Sequence, residues 1–311
     1  MKHSLAFTLL LLLSTACFGQ ETPSFNGVDY PYEMQFAELQ NGETVAYYDS
    51  GSDDETLVLI HGLGSYMPAW KMNIGPLSES YRIIALDLPG YGKSSKTAEE
   101  YTLRLFAESV SMLMDELDIA SATIMGHSMG GQIAVHFAAS YPEQVNRLIL
   151  SAPAGFEQFT EQDRMVFRAT VSAAAITATP EAMVRQNMRA TFYEFPAEAE
   201  YMINDRLQMM KEPEFENYTR AQAESVFAML NEPVWDLMPN ITQPTLVVFG
   251  KQDALIPNPY LHPALTTEGV ANAGFGRLPN STLKLIDEAG HFVHFEKSDE
   301  FNRAVLEFLN Q

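Results

Sequence analysis

The chain has 311 residues, of which 40 are acidic and 19 basic, for a formal net charge of −21. That balance excludes a nucleic-acid binder and a ligand of anionic membrane surfaces, since both need basic patches. A hydrophobic content of 46% with 19% charged residues suits a globular protein with one large core, with or without an insertion, and a single cysteine leaves no disulfide to staple it.

Residues 1–19 read as an export signal: Lys2, an apolar run over 5–13, then the small residues Ser14, Thr15, Ala16 and Gly19, with cleavage after Gly19. Ser14-Thr15-Ala16-Cys17 also resembles a bacterial lipobox, although Ser14 stands where an aliphatic residue is usual. The alternative is therefore a lipid anchor at Cys17. Both readings place the protein outside the cytoplasm, periplasmic or extracellular. No second apolar run is long enough to span a bilayer.

After a linker, Met34, Phe36 and Leu39, then Val45 and Tyr47, predict two strands joined at Asn41-Gly42, a pair that favours a type I′ hairpin turn. The apolar run 56–60 predicts a strand covered on both faces, followed by the loop His61-Gly62-Leu63-Gly64. A strand over 81–86 leads into Asp87-Leu88-Pro89-Gly90-Tyr91-Gly92. A 3.6-residue period through Leu105, Val110, Leu113 and Leu117 predicts a helix over 101–117, and strands follow at 122–125 and 147–150. From 160 to 230 only helical stretches are found (161–178, 180–190, 197–211 and 215–230), with Pro180, Pro196 and Pro213 near their starts. Strands return at 245–249 and 282–286, and a helix over 301–309 closes the chain. Strands alternating with helices predict an α/β protein with a mostly parallel sheet flanked by helices, interrupted by a helical insertion.

Gly126-His127-Ser128-Met129-Gly130-Gly131 lies between a strand and a helix, and its G-x-S-x-G spacing fits a turn that exposes the hydroxyl of Ser128. A serine nucleophile needs a base and a group to orient that base. Asp253 and His291 each follow a predicted strand, and parallel sheets gather their ligands at such strand ends. His294 is the rival base and Asp87 the rival acid. His61 and His127 read as residues that shape loops, and His262 as a surface residue of a proline-rich loop. No cluster has metal-ligand spacing and no phosphate-binding glycine loop is present, so neither a metal nor a cofactor is predicted.

These motifs, over 56–151 and 244–311, resemble the serine-type α/β-hydrolase superfamily, esterase- or lipase-like and with a helical cap. The resemblance implies a core over 20–151 and 242–311 with a cap over 152–241. It implies a triad of Ser128, Asp253 and His291, and an oxyanion hole from the backbone N–H groups of Leu63 and Met129. The implied reaction is hydrolysis of a carboxylic ester of a small, largely apolar substrate through an acyl-enzyme. Phe167, Phe192 and the cap methionines would supply the apolar roof, and Arg164, Arg168, Arg185 and Arg189 read as a solvated helix face. Ser128 argues against haloalkane dehalogenases and epoxide hydrolases, which carry Asp at the elbow. Carbon–carbon bond hydrolases usually have Asn where His127 stands and Trp where Phe292 stands. They remain an alternative, with a perhydrolase, an aminopeptidase-like amidase and, outside enzymes, a slow-turnover ligand-binding or signalling module.

Overall fold

A computed structural model of the protein describes residues 25–52 and 55–311, so the expected export signal and Cys17 lie outside the described residues. Eight strands form one sheet: β1 (Gln35–Glu38), β2 (Thr44–Asp49), β3 (Thr56–Ile60), β4 (Arg82–Leu86), β5 (Ala122–His127), β6 (Val145–Ser151), β7 (Thr245–Gly250) and β8 (Ser281–Ile286). Their spatial order is β1-β2-β4-β3-β5-β6-β7-β8, with β2 antiparallel to both β1 and β4 and all other pairs parallel. The continuous apolar runs at β3, β5 and β7 are buried throughout, as strands covered on both faces must be.

The hairpin between β1 and β2 forms where predicted, but its turn is of another type. Leu39 N–H donates to Glu43 O at 2.8 Å and Gly42 N–H to Leu39 O at 2.9 Å, and of the loop residues only Gly42 has positive φ, +87°. This is a three-residue loop closed by a left-handed glycine, not a type I′ turn. Asn41 contributes its side chain instead, whose Oδ1 accepts from Glu43 N–H at 3.1 Å.

Helices α1 (Lys71–Ser78), α2 (Leu103–Glu116) and α3 (Met129–Ser140) connect the first parallel strands, and α9 (Thr267–Phe275), α10 (Val293–Glu296) and α11 (Ser298–Leu309) accompany the last two. α2 packs with α3, and α1 with α10 and α11, to cover the sheet. Between β6 and β7 the chain is helical: α4 (Glu161–Thr170), α5 (Ala173–Thr177), α6 (Glu181–Ala190), α7 (Glu200–Met209) and α8 (Phe215–Asn231). The single helix expected over 161–178 is two, because Val171 is extended (φ −99°, ψ 124°) and the Ser172 side chain caps the next helix by accepting from Ala175 N–H. The chain passes from β3 outward to β4 and returns past β3 to β5. The C-terminal ends of β3 and β5 therefore flank the crevice where an open α/β sheet binds its ligands.

Candidate active site

Ser128 stands between the last residue of β5 and the first of α3, with φ 54° and ψ −118°. A non-glycine residue in that region costs on the order of 1–3 kcal/mol, which the surroundings must offset. Two glycines make the turn possible. A Cβ on Gly126 would lie 2.1 Å from the Gly130 carbonyl oxygen, and one on Gly130 would lie 2.3 Å from that of Ile60, so backbone that cannot retreat excludes any side chain at either place. A Cβ on Gly62 would lie 3.1 Å from Ser128 Cβ, which shows how closely the loop after β3 passes the serine. The N–H groups of Met129 and Leu63 find no protein acceptor among the described residues. For Met129, at the first position of α3, no intrahelical partner exists.

His291 follows β8 and Asp253 follows β7. His291 Nδ1–H donates to Asp253 Oδ2 at 2.7 Å, and both side chains are almost wholly buried. The other oxygen, Asp253 Oδ1, accepts from the N–H groups of Leu255 (2.8 Å) and Ile256 (3.0 Å). With Nδ1 engaged, Nε2 is the ring nitrogen left to act as acceptor. His127, next to the serine, is tied to the same loop: its Nε2–H donates to the His291 carbonyl oxygen at 3.0 Å. Burial drives the His127 pKa well below the usual value, so the ring stays neutral and serves as a clamp.

The rivals fall elsewhere. His294 is fully buried outside the cavity, its ring against Trp70 and His127, and burial lowers its pKa to about 3. Asp87 organises loops, accepting from Met67 N–H (2.6 Å), Lys93 N–H (2.8 Å) and the Tyr30 hydroxyl (2.7 Å). His61 donates through Nδ1–H to Gly62 O and accepts at Nε2 from Leu88 N–H, which shapes the loop that carries Leu63. His262 is not the surface residue expected. Its ring bonds Glu157 through Nδ1, reaches Asp163 of α4 through Nε2 at 3.4 Å, and stacks on Phe159. The prolines around it suggested a solvated loop, but the loop folds back onto the segment after β6.

Ser128, His291 and Leu63 line one cavity of about 680 Å³. Its walls are largely apolar and come mostly from the helical insert: Phe167, Ile176, Val184, Met188, Met202, Met209, Met210 and Met229. Phe192 is not among them. It stacks on Phe292 at 5.1 Å in a second small core with Ala69, Ala199, Met202 and Phe295. Of the four arginines assigned to a solvated face, Arg168, Arg185 and Arg189 make surface ion pairs, whereas Arg164 lines the cavity. Sequence reasoning missed Arg206 of α7. This half-buried residue lines the cavity, donates through Nη2 to Gly64 O in the loop after β3, and lies 4.9 Å over the Tyr218 ring. Its Nε is buried without a hydrogen-bond partner, and no carboxylate pairs with the guanidinium among the described residues. No local pattern marks it, because its significance lies in a contact 142 positions away.

The family model described as alpha/beta hydrolase fold matches residues 55–298. The chain belongs to the α/β-hydrolase family. This α/β hydrolase is 28% identical over 293 residues to the dihydrolipoyllysine-residue acetyltransferase component of an acetoin cleaving system from Cupriavidus necator, covering 93% of this chain and 73% of that one. It is likewise 28% identical to a 2-hydroxy-6-oxo-6-phenylhexa-2,4-dienoate hydrolase from Comamonas testosteroni, over 89% of this chain and 95% of the relative. Among solved structures, it matches a probable hydrolytic enzyme from Pseudomonas aeruginosa with a TM-score of 0.80 and 27% identity, covering 91% of this chain and 96% of the other.

Proposed function

We propose that this α/β hydrolase is an exported serine hydrolase that cleaves carboxylic esters through an acyl-enzyme. The observation that carries the reading is Ser128, on its strained turn, sharing one cavity with a histidine already oriented by a carboxylate. In this mechanism His291 Nε2 takes the Ser128 proton as Oγ attacks the ester carbonyl. Asp253 holds the tautomer and stabilises the imidazolium. The developing oxyanion accepts from the N–H groups of Met129 and Leu63, and each such donor contributes about 10²–10³-fold in kcat. His291 then protonates the departing alcohol and afterwards activates the water that frees the acid. The helical insert over 152–241 acts as a cap that roofs the serine and selects the substrate.

A second reading has a specific observation behind it. Arg206 brings a guanidinium with no carboxylate partner among the described residues into the wall of a largely apolar cavity, which fits a substrate with a carboxylate remote from the bond that is cleaved. The Comamonas testosteroni relative acts on a dienoate, and such a substrate would make this chain a carbon–carbon bond hydrolase. His127 and Phe292, placed where those enzymes usually carry Asn and Trp, favour the ester.

The experiment is a panel of p-nitrophenyl esters and a vinylogous diketone carboxylate, with fluorophosphonate labelling mapped by mass spectrometry. Ester turnover with label on Ser128, both lost in Ser128→Ala, is the expected result. Label on another serine overturns the triad assignment, and turnover of the diketone alone selects the second reading.

A further inference from the structure

The catalytic histidine loop is joined to the helical insert as well as to its own sheet. A Cβ on Gly290 would lie 2.5 Å from the backbone nitrogen of Tyr193, so the turn after α6 rests directly on the loop before His291. The His291 N–H donates to the Thr191 carbonyl oxygen at 2.8 Å, and Thr191 itself lines the cavity. One carboxylate closes this junction. Glu296 Oε2 accepts from Gly290 N–H at 2.7 Å and from Tyr193 N–H at 3.1 Å, while Oε1 accepts from Glu194 N–H at 2.6 Å. No basic side chain pairs with Glu296 among the described residues, so its partners are these three main-chain donors.

We infer that Glu296 is a positioning residue for His291, clipping the histidine loop to the turn at 191–194 so that the base and the roof of the cavity move as one unit. The inference rests on His291 being the base of the proposed reaction. The physical case is the geometry of the carboxylate. A carboxylate is purely an acceptor with about four lone-pair sites, so it can hold three N–H groups from two separate segments at once. An amide cannot, since its NH₂ end would oppose one or two of those donors. Charge-assisted bonds of this kind are about twice as strong as neutral ones. The charge also sits in α10 one turn beyond His291, on the loop whose backbone must stay in register for the Nδ1–H bond to Asp253. Without the clip, the loop is still held by the His127 and Thr191 bonds, so the fold persists while the imidazole wanders.

The test compares the wild type with Glu296→Gln and Glu296→Ala in three measurements well below Tm. These are kcat and KM on p-nitrophenyl acetate, the low-field proton resonance of His291 Nδ1–H, and hydrogen exchange of the Gly290, Tyr193 and Glu194 amides. A misplacement of about 1 Å can cost about 10²-fold in rate, so kcat is expected to fall by about that factor in Glu296→Ala and about tenfold in Glu296→Gln. KM for the small acetate should stay within about twofold, because the acetate does not need the roof. The low-field resonance should broaden or vanish and the three amides exchange faster. A lowered Tm with kcat and the resonance unchanged would show a purely structural clip and overturn the proposal. If Glu296→Ala does not fold, Glu296→Gln alone decides by the same criteria. If the wild type turns over no probe, the ester reading fails, and the resonance and amide exchange still decide whether Glu296 positions the histidine.

Discussion

Replacing Asp253 by Asn tests the orientation of the base with little change of shape. Asp253 uses its two oxygens differently: Oδ1 accepts two backbone N–H groups, and Oδ2 accepts the His291 Nδ1–H. An Asn has one oxygen and must choose. If that oxygen keeps the two backbone donors, its NH₂ faces Nδ1, and the imidazole is forced to carry its proton on Nε2, where it cannot accept from Ser128. If the amide flips to keep His291 in the working tautomer, the NH₂ opposes the N–H groups of Leu255 and Ile256. Each buried donor left unpaired costs about 1–3 kcal/mol, so the flipped form lies roughly 2–6 kcal/mol higher. At about 1.4 kcal/mol per tenfold, the productive form is about 30-fold to 10⁴-fold rarer. The loss should therefore approach the ~10⁴-fold seen for the equivalent change in the serine-protease triad. The assay is kcat on an activated ester at neutral pH, with circular dichroism and Tm to confirm the fold. Activity of Asp253→Asn within tenfold of wild type, or its survival while Asp87→Asn dies with the fold intact, would refute the reasoning.

Arg206→Gln should lower kcat/KM about 10- to 150-fold for esters bearing a remote carboxylate, the value of about 1.5–3 kcal/mol for a hydrogen bond to a charged group, and leave p-nitrophenyl acetate unchanged. Equal losses on both substrates would mean that the arginine only braces Gly64. Phe167→Ala should cost bulky apolar esters about 1–3 kcal/mol in kcat/KM and spare the acetate; a uniform effect across an ester series would remove Phe167 from the specificity argument. Burial lowers the pKa of His262, but hydrogen bonds and charge from Glu157 and Asp163 outweigh it and raise the value above 6.5. With Glu157 and Asp163 ionised, the stabilisation from this bridge is therefore complete below pH 6.5 and lost as pH rises through the raised value. Tm of the wild type should drop toward that of His262→Gln across this window, and parallel Tm–pH curves would dismiss the bridge.

Local rules account for the strands and for the position of Ser128. Apolar runs of strand length placed β3 through β8 to within one or two residues, and the strand-turn-helix pattern with its spaced glycines located Ser128. Asp253 and His291 were legible because a parallel sheet collects chemistry at its strand ends, so a position in the chain already implies a position in space. Even there, local rules reached only so far. Asn41-Gly42 announced a hairpin but not its turn, since the side chain of Asn41 offered a competing hydrogen bond.

The tertiary structure alone decided which side chains face the cavity and which loops are tied together. Arg206 meets Gly64 across 142 positions, Glu296 meets Tyr193 across 103, and His262 meets Glu157 across 105. Phe167 and Phe192 look alike in sequence, yet one lines the cavity and the other is packed in a separate core. Hydrophobic periodicity tells a helix which face to bury and not against what. In the insert, α4, α5 and α6 have no fully buried residue, so even an amphipathic pattern names a face of these helices without naming what covers it. Their placement comes from contacts with residues remote in the chain, and such contacts leave no period or motif to read.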